Sequence, residues 1–183
     1  MKTPSIENLP PDLELFDPAQ FDVLVEEATT PILAVKKAIR AADDVLTERF
    51  KQQKDIKLII RQRAWVMDNL LAWLWQQLGC SQSPDISLMA VGGYGRAELH
   101  PHSDIDLLIL LRNDDIEPFS NDLEGFITQL WDIGFEVGHS VRSLSECVTL
   151  ADEDITIATN LMEARTISGN PELGLQMLRD TGP

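Results

Sequence analysis

Two cysteines, Cys80 and Cys147, are all that 183 residues contain, and neither sits in a metal-ligand spacing. That leaves reduced, partly buried thiols and excludes a disulfide-stapled scaffold or a zinc module. No apolar run approaches the ~20 residues of a membrane-spanning helix, so no membrane partner is expected. The N-terminal stretch MKTPSIENLPPDLELF has neither the basic start nor the apolar core of a secretory signal, and a cytoplasmic location is expected. Positive charge is scarce, with 15 Lys and Arg against 30 Asp and Glu, a net charge of −15. Nucleic-acid binders rely on clustered Lys and Arg, so this balance argues for a protein or small-molecule acceptor; acidity that serves only solubility is the plain alternative. There is no internal repeat and no low-complexity tract. The rest is the profile of a soluble globular chain, 44% hydrophobic and 25% charged, long enough for one domain with a core and a helical extension.

Residues 1–18, with Pro4, Pro10, Pro11 and Pro18, read as an extended arm. Helical spacing over 21–50 puts Ile32, Val35, Ile39 and Leu46 on one side, with Thr30 as cap and Pro31 in the first turn. The strongest helix is predicted over 57–78 and ends at Gly79. Its Trp65, Trp73 and Trp75 read as packing surface rather than a base-stacking platform. Strands are predicted at 86–91, 104–111 and 135–142. The second contains LLILL without polar alternation, so it is buried on both faces and central. Helices are expected at 121–133 between caps Ser120 and Gly134, and at about 145–150, 154–166 and 171–179, the last opened by Asn170 and Pro171. The expected fold is α/β (α+β), a small mixed sheet with packed helices and an N-terminal helical extension over 1–56. The tail GNPELGLQMLRDTGP breaks off as an N-terminal piece of a longer protein would.

The chemistry concentrates in GGYGRAELHPHSDIDLLIL, residues 92–110. A glycine turn is followed, eleven residues after Gly93, by two carboxylates inside an apolar strand. Burying an unpaired carboxylate is expensive, so Asp104 and Asp106 need a partner. At i and i+2 they point the same way, about 6.6 Å apart along a strand. Two acids on one face, near a turn rich in N–H donors, suit a divalent metal and a phosphate. Gly92, Gly93 and Gly95 let backbone amides approach a phosphate closely. Arg96 offers either a guanidinium fork for that phosphate or an ion pair to Glu98 or Asp104. Ser103 supplies either a hydroxyl to the nucleotide or a turn cap, and Tyr94 either flanks a nucleotide or packs the turn.

This pattern resembles the nucleotidyltransferase superfamily, whose fold is shared with polymerase beta, and within it the bacterial PII uridylyltransferase/uridylyl-removing enzymes. GGYGRAELHPHSDIDLLIL, LWDIGFEVGHSVRSLSEC and ITIATNLMEARTISGN carry the similarity, over about residues 58–175. That branch usually has glycine where this chain has Ala97, a departure beside the phosphate turn and not on the carboxylates. The resemblance implies a nucleotidyltransferase domain over 57–183, Mg²⁺ (or Mn²⁺) as cofactor and UTP as substrate. It also implies transfer of UMP to a tyrosine hydroxyl of the nitrogen-regulatory protein PII, with release of pyrophosphate. A third metal carboxylate from the next strand is implied as well. Glu136, between Phe135 and Val137, fits that place, with Asp132 as competitor. The family's hydrolytic domain would need more histidines than His100, His102 and His139. His139, three residues past Glu136, faces the other side of a regular strand and reads as a core or supporting residue. Arg142, Asn160, Glu163 and Arg165 either bind nucleotide or tie helices to the sheet. The rival readings are AMP transfer by another small nucleotidyltransferase and a non-catalytic nucleotide-sensing module.

Overall fold

The computed structural model describes residues 11–182, so most of the proline-rich arm expected over 1–18 lies outside the described residues. Three helices come first: α1 (Pro18–Glu27), α2 (Pro31–Lys51) and α3 (Ile56–Gln76). Asp17, Thr30 and Asp55 cap them, each accepting a hydrogen bond from an amide of the first turn, and Pro18 and Pro31 occupy first-turn positions where no N–H is needed. The helical stretch expected over 21–50 is thus two helices, broken where Ala28 and Thr30 turn extended. α3 stops at Gln76, and Gly79 begins a short 3₁₀ turn instead of capping the helix.

The sheet has four strands in the order β3-β2-β1-β4. β1 (Ile86–Ala90) leads into a helical turn, α4 (Gly92–Gly95), and β2 (Ile105–Leu111) returns antiparallel to β1. α5 (Ser120–Ile133) crosses to β3 (Val137–Ser143), which lies parallel to β2 with Asp106 opposite Gly138. Gly134 ends α5 at φ +95, as expected of a glycine stop, whereas Ser120 is inside the helix and its hydroxyl donates to the Glu117 carbonyl. α6 (Leu144–Glu153) and α7 (Ile155–Met162) precede β4 (Arg165–Gly169), and α8 (Pro171–Thr181) follows, capped by Asn170.

β4 corrects the helix expected over 154–166. The helix ends at Met162, and Arg165–Gly169 pair antiparallel with the free edge of β1. Five residues with Thr166 and Ile167 carry too little local preference to choose; the open edge of β1 chooses for them. A Cβ on Gly169, at φ +91, would come within 2.8 Å of the Ile86 carbonyl oxygen, so glycine permits the close end of that pairing.

The pleat divides the core. Ile105, Leu107, Ile109 and Leu111 face α2, α3 and α5, where Ala34, Val35, Leu70, Leu74, Trp75 and Phe126 are buried. Leu108, Leu110 and Met89 face α6, α7 and α8, against Leu144, Leu161 and Met177. β2 is therefore covered on both sides, as its unbroken apolar run requires. Trp75 is fully buried edge-on to Phe126, while Trp65 and Trp73 meet Phe16 and Phe21, so the tryptophans are packing residues. Cys80 and Cys147 are free and buried, and burial pushes their thiols up to about 12 and about 11. Among the described residues no helix is long and apolar enough to cross a membrane.

Candidate active site

Asp106 shares the α7-facing side of β2 with Leu108 and Leu110, at the end where the sheet meets the glycine turn. Its carboxylate occupies the space above Gly138: a Cβ there would lie 2.5 Å from Asp106 Oδ1. On the other side is Gly92, at φ +58, whose missing Cβ would lie 3.4 Å from Asp106 Oδ2 and 3.9 Å from Asn160 Oδ1. Two glycines thus make the room for one carboxylate. The turn is tied to the strand by the Val91 amide, which donates to the Asp106 carbonyl at 3.1 Å. Burial raises the Asp106 carboxyl above the usual carboxylate range, and the charge of Asp104 adds to the rise. Among the described residues no hydrogen bond opposes that rise.

A cleft of about 280 Å³ opens over this carboxylate, lined among others by Gly92, Gly138, Ser140, Arg142 and Asn160. Arg142 and Asn160, left open by the sequence, thus stand with Asp106. Arg165 does not. Its guanidinium donates to both oxygens of Asp68, at 2.6 and 2.8 Å, and to the Tyr94 carbonyl at 3.2 Å, and lies 5.0 Å from the Tyr94 ring centre. Tyr94 is buried, its hydroxyl donating to Asp68 at 2.6 Å. It packs the turn, and the Asp68–Arg165 pair anchors that turn to α3 and β4.

Arg96 forms the local ion pair weighed for it to Glu98, at 3.2 Å, but its second partner is Glu163, at 2.5 Å and 67 residues on, and not Asp104. Gly95 is pressed against the same segment: a Cβ would fall 2.3 Å from the Glu163 carbonyl oxygen. Gly93 has looser surroundings, and a Cβ there would meet nothing closer than 3.6 Å. Ala97 is buried at φ +62, the left-handed region, at a backbone cost of about 1–2 kcal/mol that glycine would not incur.

Asp104 and Ser103 are exposed just before β2. Glu136 precedes β3, and its carbonyl accepts from the Ile105 amide at 2.9 Å, which sets it level with Asp104. Its residue lines a different cleft, with His102 and Ser103. Among the described residues no three His, Cys, Asp or Glu are gathered as a ready metal cluster. Asp104 and Asp106 fit a divalent cation by the chemistry of their donors: two carboxylates, one half-buried and without a hydrogen-bond donor. His139 is exposed rather than in the core, because β3 is an edge strand, and its ring stands 6.2 Å from that of Trp131. Sequence reasoning missed Gly138 and Asp68. An isolated glycine within a strand signals a close approach, and a carboxylate on the packed side of a helix demands a partner; both signals were available.

Residues 72–158 match the family described as Nucleotidyltransferase domain. This part of the chain is a nucleotidyltransferase domain. The chain is 54% identical over 170 residues to a bifunctional uridylyltransferase/uridylyl-removing enzyme of Pseudomonas savastanoi, covering 93% of this chain and 19% of the relative. Against the enzyme of that name from Azotobacter vinelandii it is 53% identical over 166 residues, 91% of this chain and 18% of the relative. Against that of Pseudomonas putida it is 51% identical over 170 residues, 93% and 19%. The chain therefore spans about a fifth of the length of the curated relatives it matches. The resemblance drawn from the glycine turn and the carboxylate strand is borne out, and so is the mixed α/β fold.

Proposed function

We propose that the protein containing this nucleotidyltransferase domain transfers UMP from UTP to a tyrosine hydroxyl of the nitrogen-regulatory protein PII, releasing pyrophosphate. The observation that carries the reading is Asp106: a half-buried carboxylate without a hydrogen-bond donor, seated between two glycines, with Asp104 beside it. Such an arrangement costs stability and is retained where a cation completes it. Asp104 and Asp106 would hold Mg²⁺ or Mn²⁺, with Glu136, level with Asp104, as third carboxylate. A bound divalent cation supplies charge neutralisation of the triphosphate and a lowered pKa for the attacking hydroxyl. The turn orients the leaving phosphates through the amides of Gly92 and Gly93, because the first amides of a helical turn have no partner within it, while Gly95, whose amide donates to the Val91 carbonyl at 2.9 Å, lets the turn press close to Glu163. Asn160, beside Gly92, and Arg142 line the nucleotide cleft with Asp106, and Ser103 would add a hydroxyl next to Asp104. Arg96, held by Glu98 and Glu163, stiffens the turn at its far end. One carboxylate of the group takes the acceptor's proton. The catalytic unit is the domain that starts at residue 57, and α1 and α2 are its helical extension.

The test is incubation of the full-length protein with each labelled nucleoside triphosphate, Mg²⁺ and purified PII. Transfer of UMP, lost in Asp104→Asn and Asp106→Asn, is expected. Transfer of AMP instead would assign another nucleotidyltransferase, and nucleotide binding without transfer would assign a sensing module.

A further inference from the structure

On the other face of the sheet a second cleft, of about 360 Å³, reaches the same strand ends. Its walls include Lys36 and Arg40 of α2, Arg63 of α3, and His102, Ser103 and Glu136 at the carboxylate end. Lys36 and Arg40 are four residues apart, so they share one side of the helix. Acids outnumber bases 30 to 15 in this chain, yet among the described residues neither Lys36 nor Arg40 is in an ion pair. Arg63 is matched by Asp43, and Glu136 lies at the inner end, where the cleft meets the strand ends. The outer wall is therefore cationic on a chain of net charge −15. The floor is apolar, with Met67, Leu99 and Ile105.

The nucleotide is assigned to the Gly92 cleft, where the glycine turn meets Asp106; in this second cleft Arg63 is taken up by Asp43, and the cations outside ion pairs, Lys36 and Arg40, lie along one wall. Two cations along one wall above an apolar floor suit an extended peptide with acidic and apolar side chains. Elsewhere the acidic surface repels such a segment, so the local field selects this cleft. Resting on the nucleotidyl-transfer reading, we propose that this cleft docks the protein acceptor. An acidic segment flanking the modified hydroxyl would lie along Lys36 and Arg40, and the hydroxyl would emerge at Ser103, Asp104 and Glu136. Nucleotide and acceptor then approach the carboxylates from opposite faces of the sheet.

The experiment uses the full-length protein and the double variant Lys36→Glu/Arg40→Glu, with Lys36→Gln/Arg40→Gln as a milder pair that keeps good helix formers. Initial rates are measured with PII and UTP varied separately. The expected result is at least a ~10-fold rise in KM for PII in the charge-reversed variant and a smaller rise in the neutral one. The KM for UTP and kcat at saturating PII should stay within about twofold, and the salt dependence of the PII KM should flatten. An unchanged PII KM, or a rise in the UTP KM instead, overturns the proposal. Binding is read separately, by fluorescence polarisation of a fluorescein-labelled decaglutamate peptide. Salt-sensitive binding to the unmodified protein, lost in the variants, supports the cleft even where no transfer occurs; absence of binding overturns it. Unmodified protein that transfers no UMP to PII defeats the functional reading, whereas transfer that the variants leave untouched defeats only this one.

Discussion

Replacing Asp68 with alanine should destabilise the fold more than a change to any other charged side chain described above except its partner Arg165. Asp68 lies 26 residues before Tyr94 and 97 before Arg165, so its contacts are wholly tertiary. Both of its oxygens are taken by the Arg165 guanidinium, and one also accepts from the Tyr94 hydroxyl. Burial pushes the Asp68 carboxyl up against the pull of Arg165, and pushes the Tyr94 hydroxyl well above its usual range, so the phenol stays a donor. Asp68→Ala strands a guanidinium whose Nε is already buried without a partner. Breaking a mostly buried pair from one side costs about 3–5 kcal/mol, against a typical domain stability of about 5–15 kcal/mol. Tyr94→Phe removes one hydrogen bond to a charged group and leaves the ion pair, so about 1.5–3 kcal/mol is expected. Arg165→Ala should resemble Asp68→Ala. The double variant should lose less than the sum of the two, with a coupling of about 2–3 kcal/mol. Urea unfolding followed by far-UV circular dichroism measures all four. A loss below about 1 kcal/mol for Asp68→Ala, or additive single variants, would refute the anchoring role.

Asp106→Asn should abolish nucleotidyl transfer yet leave the melting temperature at neutral pH unchanged or higher, because it removes a desolvated charge beside Asp104; calorimetry and a transfer assay on one preparation check both. Gly138→Ala places a methyl 2.5 Å from Asp106 Oδ1 and should displace that carboxylate, lowering kcat by about 10²-fold, while circular dichroism reports an intact fold. Glu136→Gln should reduce transfer on the scale of the Asp104 and Asp106 variants, and Asp132→Asn should not; equal behaviour of the two would remove Glu136 from the site. Hydrogen bonding to Arg49 holds the Asp12 carboxyl below its ordinary range, so this contact stabilises the fold above the ordinary carboxylate pKa and is lost as pH falls through the depressed value. Asp12→Asn should therefore melt earlier than the unmodified chain at neutral pH, and the gap should close in acid.

How much was legible from sequence differs by element. β2 was legible as a central strand because LLILL is apolar at every position, which only two-sided burial accommodates. The starts of α2 and α8 were legible from Thr30-Pro31 and Asn170-Pro171, since capping is a matter of adjacent residues. β4 was not: its strand identity is conferred by the free edge of β1, 75 or more residues earlier, and no local pattern records that edge. Asp104 and Asp106 could be paired from spacing alone, because a strand alternates. The family, the central strand and the two carboxylates could all be read before folding, since each depends on residues close together in the chain. The seating of Asp106 between Gly92 and Gly138, the hold of Asp68 and Arg165 on the turn, and the two separate clefts at the strand ends could not. Those are meetings of residues far apart in the chain, settled by the order of the strands and the packing of helices on each side.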